Sequence, residues 1–202
     1  MRLKEEIDAN IKILSGDTAC TPEDRDLLAE FSAQLYDTDA MRKLRVEDAY
    51  ATRIWTAARE GDIEGIKQCL AAGTPVNARE PQSGSTPLNT AALFGQTEVA
   101  VLLLEKGADV TIANNDGNTA LHLASFFARP DLVELLLKHD APVLAKNGKG
   151  ESPLDLVSGV WSRELENVYT SIGNMIGMEI DLPRIREARP KVAKLLSEHT
   201  VK

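Results

Sequence analysis

The chain has 202 residues, 43% of them hydrophobic, and a formal charge of −8 at pH 7. That is enough apolar material for one folded domain, or one domain with a small appendage, and the negative balance disfavours nucleic acid as a partner. No stretch approaches the roughly 20 apolar residues of a membrane span, and Met1-Arg2-Leu3-Lys4-Glu5-Glu6 lacks the apolar run of a secretory signal. A cytoplasmic protein with no membrane partner is therefore expected.

Residues 1–49 read as a helical N-terminal cap. Leu3, Ile7, Ile11 and Leu14 recur at helical spacing until Ser15-Gly16-Asp17 interrupts them. Thr21-Pro22-Glu23-Asp24 then supplies an N-cap, a proline at the first helical position and acidic residues in the first turn. Leu27, Leu28, Phe31 and Leu35 form the apolar face of that second helix, and Met41 and Leu44 belong to a short third element. The alternative is a separate docking or dimerisation element.

From residue 50 onward the chain repeats itself. Gly84-Ser85-Thr86-Pro87-Leu88, Gly117-Asn118-Thr119-Ala120-Leu121 and Gly150-Glu151-Ser152-Pro153-Leu154 follow one another at a step of 33 residues. Leu103 matches Leu136, Gly107 matches Asp140, and Ala108 matches Ala141. A fixed period of this size is the mark of a stacked repeat architecture. Thr86 and Thr119 stand where a helix N-cap belongs, and Pro87 and Pro153 stand at the first helical position. A second helix follows from about Glu98 to Glu105, with Val99, Leu102 and Leu103 on its buried side, and Gly107 ends it. An earlier copy, Ile54 to Gly61 and Ile63 to Val76, keeps Ala57, Ala58 and Gly61 in register with Ala91, Ala92 and Gly95 at a step of 34. Cys69 falls in register with Leu103 and Leu136, which predicts a buried thiol. With Cys20 as the other cysteine there is neither a disulfide framework nor metal-ligand spacing, and no cofactor or metal is expected.

The period resembles the ankyrin repeat. That family's TPLHxA signature is matched by Thr86-Pro87-Leu88-Asn89-Thr90-Ala91 and by Thr119-Ala120-Leu121-His122-Leu123-Ala124, and its second-helix pattern by Glu98 to Val110 and Leu132 to Ala141. With Trp55-Thr56-Ala57-Ala58-Arg59-Glu60-Gly61 at one end and a long C-terminal extension at the other, the set looks like a recurring bacterial ankyrin group. The resemblance implies a mainly α fold: an ankyrin-repeat solenoid of about four repeats, helix-turn-helix with β-turn tips, closed by helical caps. It places repeats at 50–83, 84–116, 117–149 and 150–202. It also implies that His122 stabilises the turn between repeats.

The fourth repeat departs from the pattern. Ala128-Arg129-Pro130 of the third repeat finds its match only at Ala188-Arg189-Pro190, so an insertion of about 161–187 is expected. After it Val192, Leu195 and Leu196 stand for Leu132, Leu135 and Leu136, and the last helix, roughly Pro190 to His199, closes the repeat. Inside the insertion, Trp161, Leu165, Val168, Ile172 and Met175 form an apolar helical stripe, Met178, Ile180 and Leu182 alternate as in an extended piece, and Asp181 is placed to cap a short helix.

No catalytic grouping is found, and an enzyme is not expected. His122, His139 and His199 lack a partner at recognisable spacing, and Asn147-Gly148-Lys149-Gly150 is turn chemistry without a phosphate-loop context. The resemblance points instead to binding. In ankyrin proteins the two residues after the paired alanines, and the turn tips, line the concave face. Here those slots hold Arg59-Glu60, Leu93-Phe94 and Phe126-Phe127, and the tips add Arg79, Gln82, Ser83, Asn115, Asp116, Asn118 and Lys149. Three of the four phenylalanines sit in the slots, and such an apolar cluster requires a cover. Two covers compete: a protein partner, or the insertion itself with Trp161 and Met175 turned inward. Replacing Phe94 and Phe127 by Asp separates them, because slots that are core cannot accept the change. The expected function is a non-catalytic protein–protein interaction module, with a monomer slightly favoured. The alternative is a regulatory or immunity-type inhibitor subunit of a neighbouring enzyme; a small-molecule-binding protein or hydrolase with a site under the insertion is the outlier.

Overall fold

The computed structural model describes residues 53–200. The expected N-terminal cap at 1–49 lies outside the described residues, as does Cys20. The described residues contain nine helices and no strand: α1 (53–60), α2 (Ile63–Ala71), α3 (Pro87–Phe94), α4 (Thr97–Glu105), α5 (Ala120–Phe126), α6 (Pro130–Lys138), α7 (Asp155–Ser158), α8 (Arg163–Ile176) and α9 (Leu182–Thr200).

The second, third and fourth repeats each open on a capping residue, Thr86, Thr119 and Ser152. The Thr86 hydroxyl accepts from the Asn89 amide at 3.2 Å, starting α3 with Pro87 at its first position. Ser152 does the same for the fourth copy: its hydroxyl accepts from Asp155 N at 3.3 Å while the Asp155 carboxylate accepts from Ser152 N at 2.8 Å. These reciprocal bonds satisfy amides that a helix start leaves without partners. The first helices stack α3 on α5 on α7, and the second helices form a parallel row from α2 through α4 and α6 to α9. Between the rows lies one continuous core: Ile54, Ala57 and Ala58; Ile66 and Cys69; Leu88, Ala91 and Ala92; Leu103, Leu121, Ala124, Leu132 and Leu136. Cys69 is fully buried, and burial pushes its thiol pKa up. At the other edge the turn tips are tied to each other by backbone bonds, Asn115 N to Ser83 O at 2.9 Å and Gly148 N to Asp116 O at 2.7 Å.

The fourth repeat corrects the expected helix-to-helix turn at 188–190. α9 runs unbroken from Leu182 to Thr200 with Pro190 inside it. Asp181 does cap this helix, accepting from Arg184 N at 3.0 Å, but the helix is long. Its C-terminal half still performs the second-helix role: Val192 and Leu196 are fully buried against α6, as the register with Leu132 and Leu136 requires. The first helix of this repeat, α7, has only four residues. The insertion supplies what that truncation leaves open.

Candidate functional site

The concave slots are built by the C-terminal ends of the first helices, and each slot carbonyl needs a donor. Two repeats provide it from the next repeat at one equivalent position. Gln96 Nε2 donates to Arg59 O at 2.8 Å, and Arg129 Nη2 donates to Leu93 O at 3.3 Å. The third carbonyl, Phe126 O, is met from the insertion: Tyr169 Oη donates to it at 2.6 Å. Arg189 Nη1 in turn donates to Tyr169 Oη at 2.9 Å. Arg189 thus backs the third bolt at the register position of Arg129, with Tyr169 interposed.

This arrangement settles the cover over the third repeat in favour of the insertion. Tyr169 is 0% exposed. Its ring lies 4.6 Å from Phe126 and 6.2 Å from Phe127, and Trp161 stacks on it at 5.8 Å with an interplanar angle of 20°. Such aromatic pairs contribute about 0.5–1.5 kcal/mol each beyond the area they bury. Trp161 fixes its own indole by donating to Glu166 at 2.6 Å. Burial raises the Tyr169 phenol pKa, which keeps it protonated and able to donate.

Two expectations about these residues are corrected. Phe127 is 1% exposed and belongs to the core, because the insertion lands on this slot and closes it. Met175 does not turn inward: it is 78% exposed, and Val168 is exposed as well. The buried side of α8 keeps Leu165 and Ile172 and takes Tyr169, Gly173 and Ile176 in place of Val168 and Met175. Gly173 allows the chain to fold back closely, since a Cβ there would run into Ile180 and sit 2.7 Å from Met178 O.

The slots of the first two repeats are less covered. Leu93 and Phe94 are half-buried, and Arg59 and Glu60 are exposed. The Arg59 guanidinium lies 4.9 Å over the Phe94 ring and donates to Ile176 O at 2.9 Å, satisfying a carbonyl at the C-terminal end of α8 where a cation is favoured. Arg129 is packed over Gly95, against Phe127 and under Met178, and burial together with the neighbouring charge of Arg184 brings its pKa down to about 10. It stays charged at neutral pH. Arg184 donates to Phe127 O at 3.0 Å and to Ala128 O at 3.1 Å. The structure therefore brings together residues that sequence reasoning missed: Tyr169, Arg184 and Arg189 as ties between insertion and stack.

At the tips, Arg79, Gln82, Asn115, Asp116 and Lys149 are exposed. Asn118 is different, because its side chain accepts from Asn147 Nδ2 at 3.1 Å and works inside the tip ladder. Asn115 also serves the ladder, donating to Gln82 O at 3.0 Å. His122 is fully buried and couples the third repeat to the fourth. Its Nδ1 accepts from Thr119 N at 3.2 Å, so Nε2 carries the proton and donates to Glu151 O at 3.1 Å. Burial lowers its pKa and keeps it neutral. Among the described residues there is no group of His, Cys, Asp and Glu able to hold a metal, and no helix long and apolar enough to cross a membrane.

Comparison with known proteins agrees with the geometry. A family model of ankyrin repeats, in three copies, matches residues 54–147. The chain is 34% identical over 105 residues to acyl-CoA-binding domain-containing protein 2 of Arabidopsis thaliana, covering 51% of this chain and 28% of that protein. It is 32% identical over 63 residues to ankyrin repeat-containing protein P1E11.10 of Schizosaccharomyces pombe, with 31% and 30% covered. It is 39% identical over 54 residues to the ankyrin repeat protein YahD of Escherichia coli, with 27% and 26% covered. The chain spans less than a third of the length of each of these relatives. Ankyrin repeats are generally protein–protein interaction modules. With the paired helices, the capped openings and the bolted carbonyls all repeating in step, residues 54–147 of this chain are ankyrin repeats.

Proposed function

We propose that this protein is a non-catalytic binding module that grips a protein partner along its row of turn tips, and that it does so in the cytoplasm. The observation that carries this reading is the state of the tips. Their backbones are locked to one another by the bonds from Asn115 N to Ser83 O and from Gly148 N to Asp116 O, while Arg79, Gln82, Asp116 and Lys149 point exposed side chains outward from that rigid edge. A backbone already held in place has little main-chain freedom left to lose on binding, which favours affinity. Arg59, Glu60 and the half-buried Leu93 and Phe94 continue the surface toward the first repeat. Phe126 and Phe127 are occupied by the insertion and supply no free anchor.

The space beneath the insertion is filled by Tyr169, Phe127, Phe126 and Trp161, which leaves aromatic packing where a hydrolase or small-molecule reading needs a site. The match to the acyl-CoA-binding domain-containing relative covers 28% of that protein and lends no support to an acyl-CoA ligand here. Affinity capture from the native host tests the proposal when run beside a variant with Gln82→Ala, Asp116→Arg and Lys149→Glu. A protein captured by the wild type and lost by the variant, at an unchanged melting temperature, supports it; capture indifferent to the tips overturns it. Assaying the captured protein for enzymatic activity with and without this chain distinguishes a scaffold from an inhibitor subunit.

A further inference from the structure

Stacked repeats touch only their neighbours, so an array of them behaves as a one-dimensional chain whose ends do not sense each other. This molecule departs from that rule. α8 belongs to the fourth repeat, yet its last carbonyl, Ile176 O, is held by Arg59 of the first repeat at 2.9 Å. The segment after it meets the second repeat's bolt, with Arg129 Nη2 donating to Met178 Sδ at 3.8 Å. Its middle is anchored on the third repeat by Tyr169, which the buried Arg189 of α9 backs from behind. The start of α9 returns to the same repeat through the two bonds of Arg184.

We propose that residues 160–181 act as a strap that couples the first repeat to the last, so that loosening either end loosens the other. The two anchors differ in kind. Tyr169 is fully buried among aromatic rings, whereas the Arg59 contact is exposed, so the Ile176 end is the one that lifts first. Lifting it frees the Arg59 guanidinium, which also lies over the Phe94 ring, and so releases the tie on the first repeat. The inference concerns the strap alone and does not rest on the protein-binding reading.

Hydrogen exchange on the full chain tests it with two variants and a control. Arg59→Ala removes an exposed side chain of the first repeat; the amides at 170–177, at the far end of the chain, then exchange roughly three- to tenfold faster, the size expected from one net hydrogen bond. Tyr169→Phe touches only the third and fourth repeats, yet accelerates α2 (Ile63–Ala71) as well. Glu60→Ala, beside Arg59 but without a bond to the strap, changes neither region. Acceleration confined to the mutated end in both variants overturns the proposal, because that is how a nearest-neighbour stack behaves.

Discussion

Tyr169→Phe probes the seat of the insertion with the least steric disturbance, since the ring and its packing are kept. Two bonds are lost: the phenol to Phe126 O at 2.6 Å, and Arg189 to the phenol at 2.9 Å. Arg189 is not stranded, because Leu156 O at 3.0 Å and Gly159 O at 3.2 Å still accept from it. The Phe126 carbonyl, by contrast, loses the donor that answers it. A net bond contributes about 1 kcal/mol and one with a charged partner somewhat more, so with Arg189 partly compensated the loss is about 2 kcal/mol. For a chain of this size that lowers the melting temperature by roughly 4–8 °C. Far-ultraviolet circular dichroism during a thermal scan measures it, and a urea titration checks it independently. A melting temperature within about 1 °C of wild type would refute the reasoning. It would mean that the insertion rests on the stack without being part of its core.

Phe127→Asp unfolds the protein, because it places a carboxylate at a site that is 1% exposed, at a cost of several kcal/mol. Phe94→Asp leaves the fold intact, since that side chain is half-buried and faces Arg59; circular dichroism of the two single variants separates them. His122 makes stability depend on pH. Burial lowers its folded pKa, so the unfolded chain binds more protons below the unperturbed value of about 6.5. Its contribution is therefore fully present above that pH and is lost as pH falls from there to the depressed folded value. The urea midpoint measured from about pH 8 down to about pH 5 falls in this window, and His122→Gln flattens that part of the curve. An unchanged slope in the variant would assign the dependence to other groups.

How much of this was legible in the sequence follows from which positions face the same problem in every repeat. Leu103, Leu136 and Cys69 solve one packing problem three times, so a step of 33 or 34 residues exposes them. The same logic survives the insertion: Val192 and Leu196 were placed by register with Leu132 and Leu136 and are buried as those are. The insertion has no second copy to be compared with, and there periodicity alone was ambiguous. Steps of three and four allow Val168 and Met175 as readily as Tyr169 and Ile176. What decides the face is a polar requirement that periodicity does not register. Phe126 O needs a donor where the two earlier repeats have Gln96 and Arg129, and only the face bearing Tyr169 delivers one.

That requirement also explains why Phe127 is buried and why Arg189 does more than mark register. In the first two repeats the slot after the paired alanines faces outward and holds Glu60 and Phe94, exposed and half-buried. In the third, the bolt arrives on an inserted helix and not on the next repeat, and the body of that helix closes the slot over Phe127. Arg189 was useful only as a marker of register, yet register is what puts a buried guanidinium behind Tyr169. An arginine kept at a bolt position, with an aromatic hydroxyl available in an adjacent insertion, is a signal that single-sequence reading can use. The carbonyl at the end of a repeat's first helix must be answered, and the residues able to answer it are few.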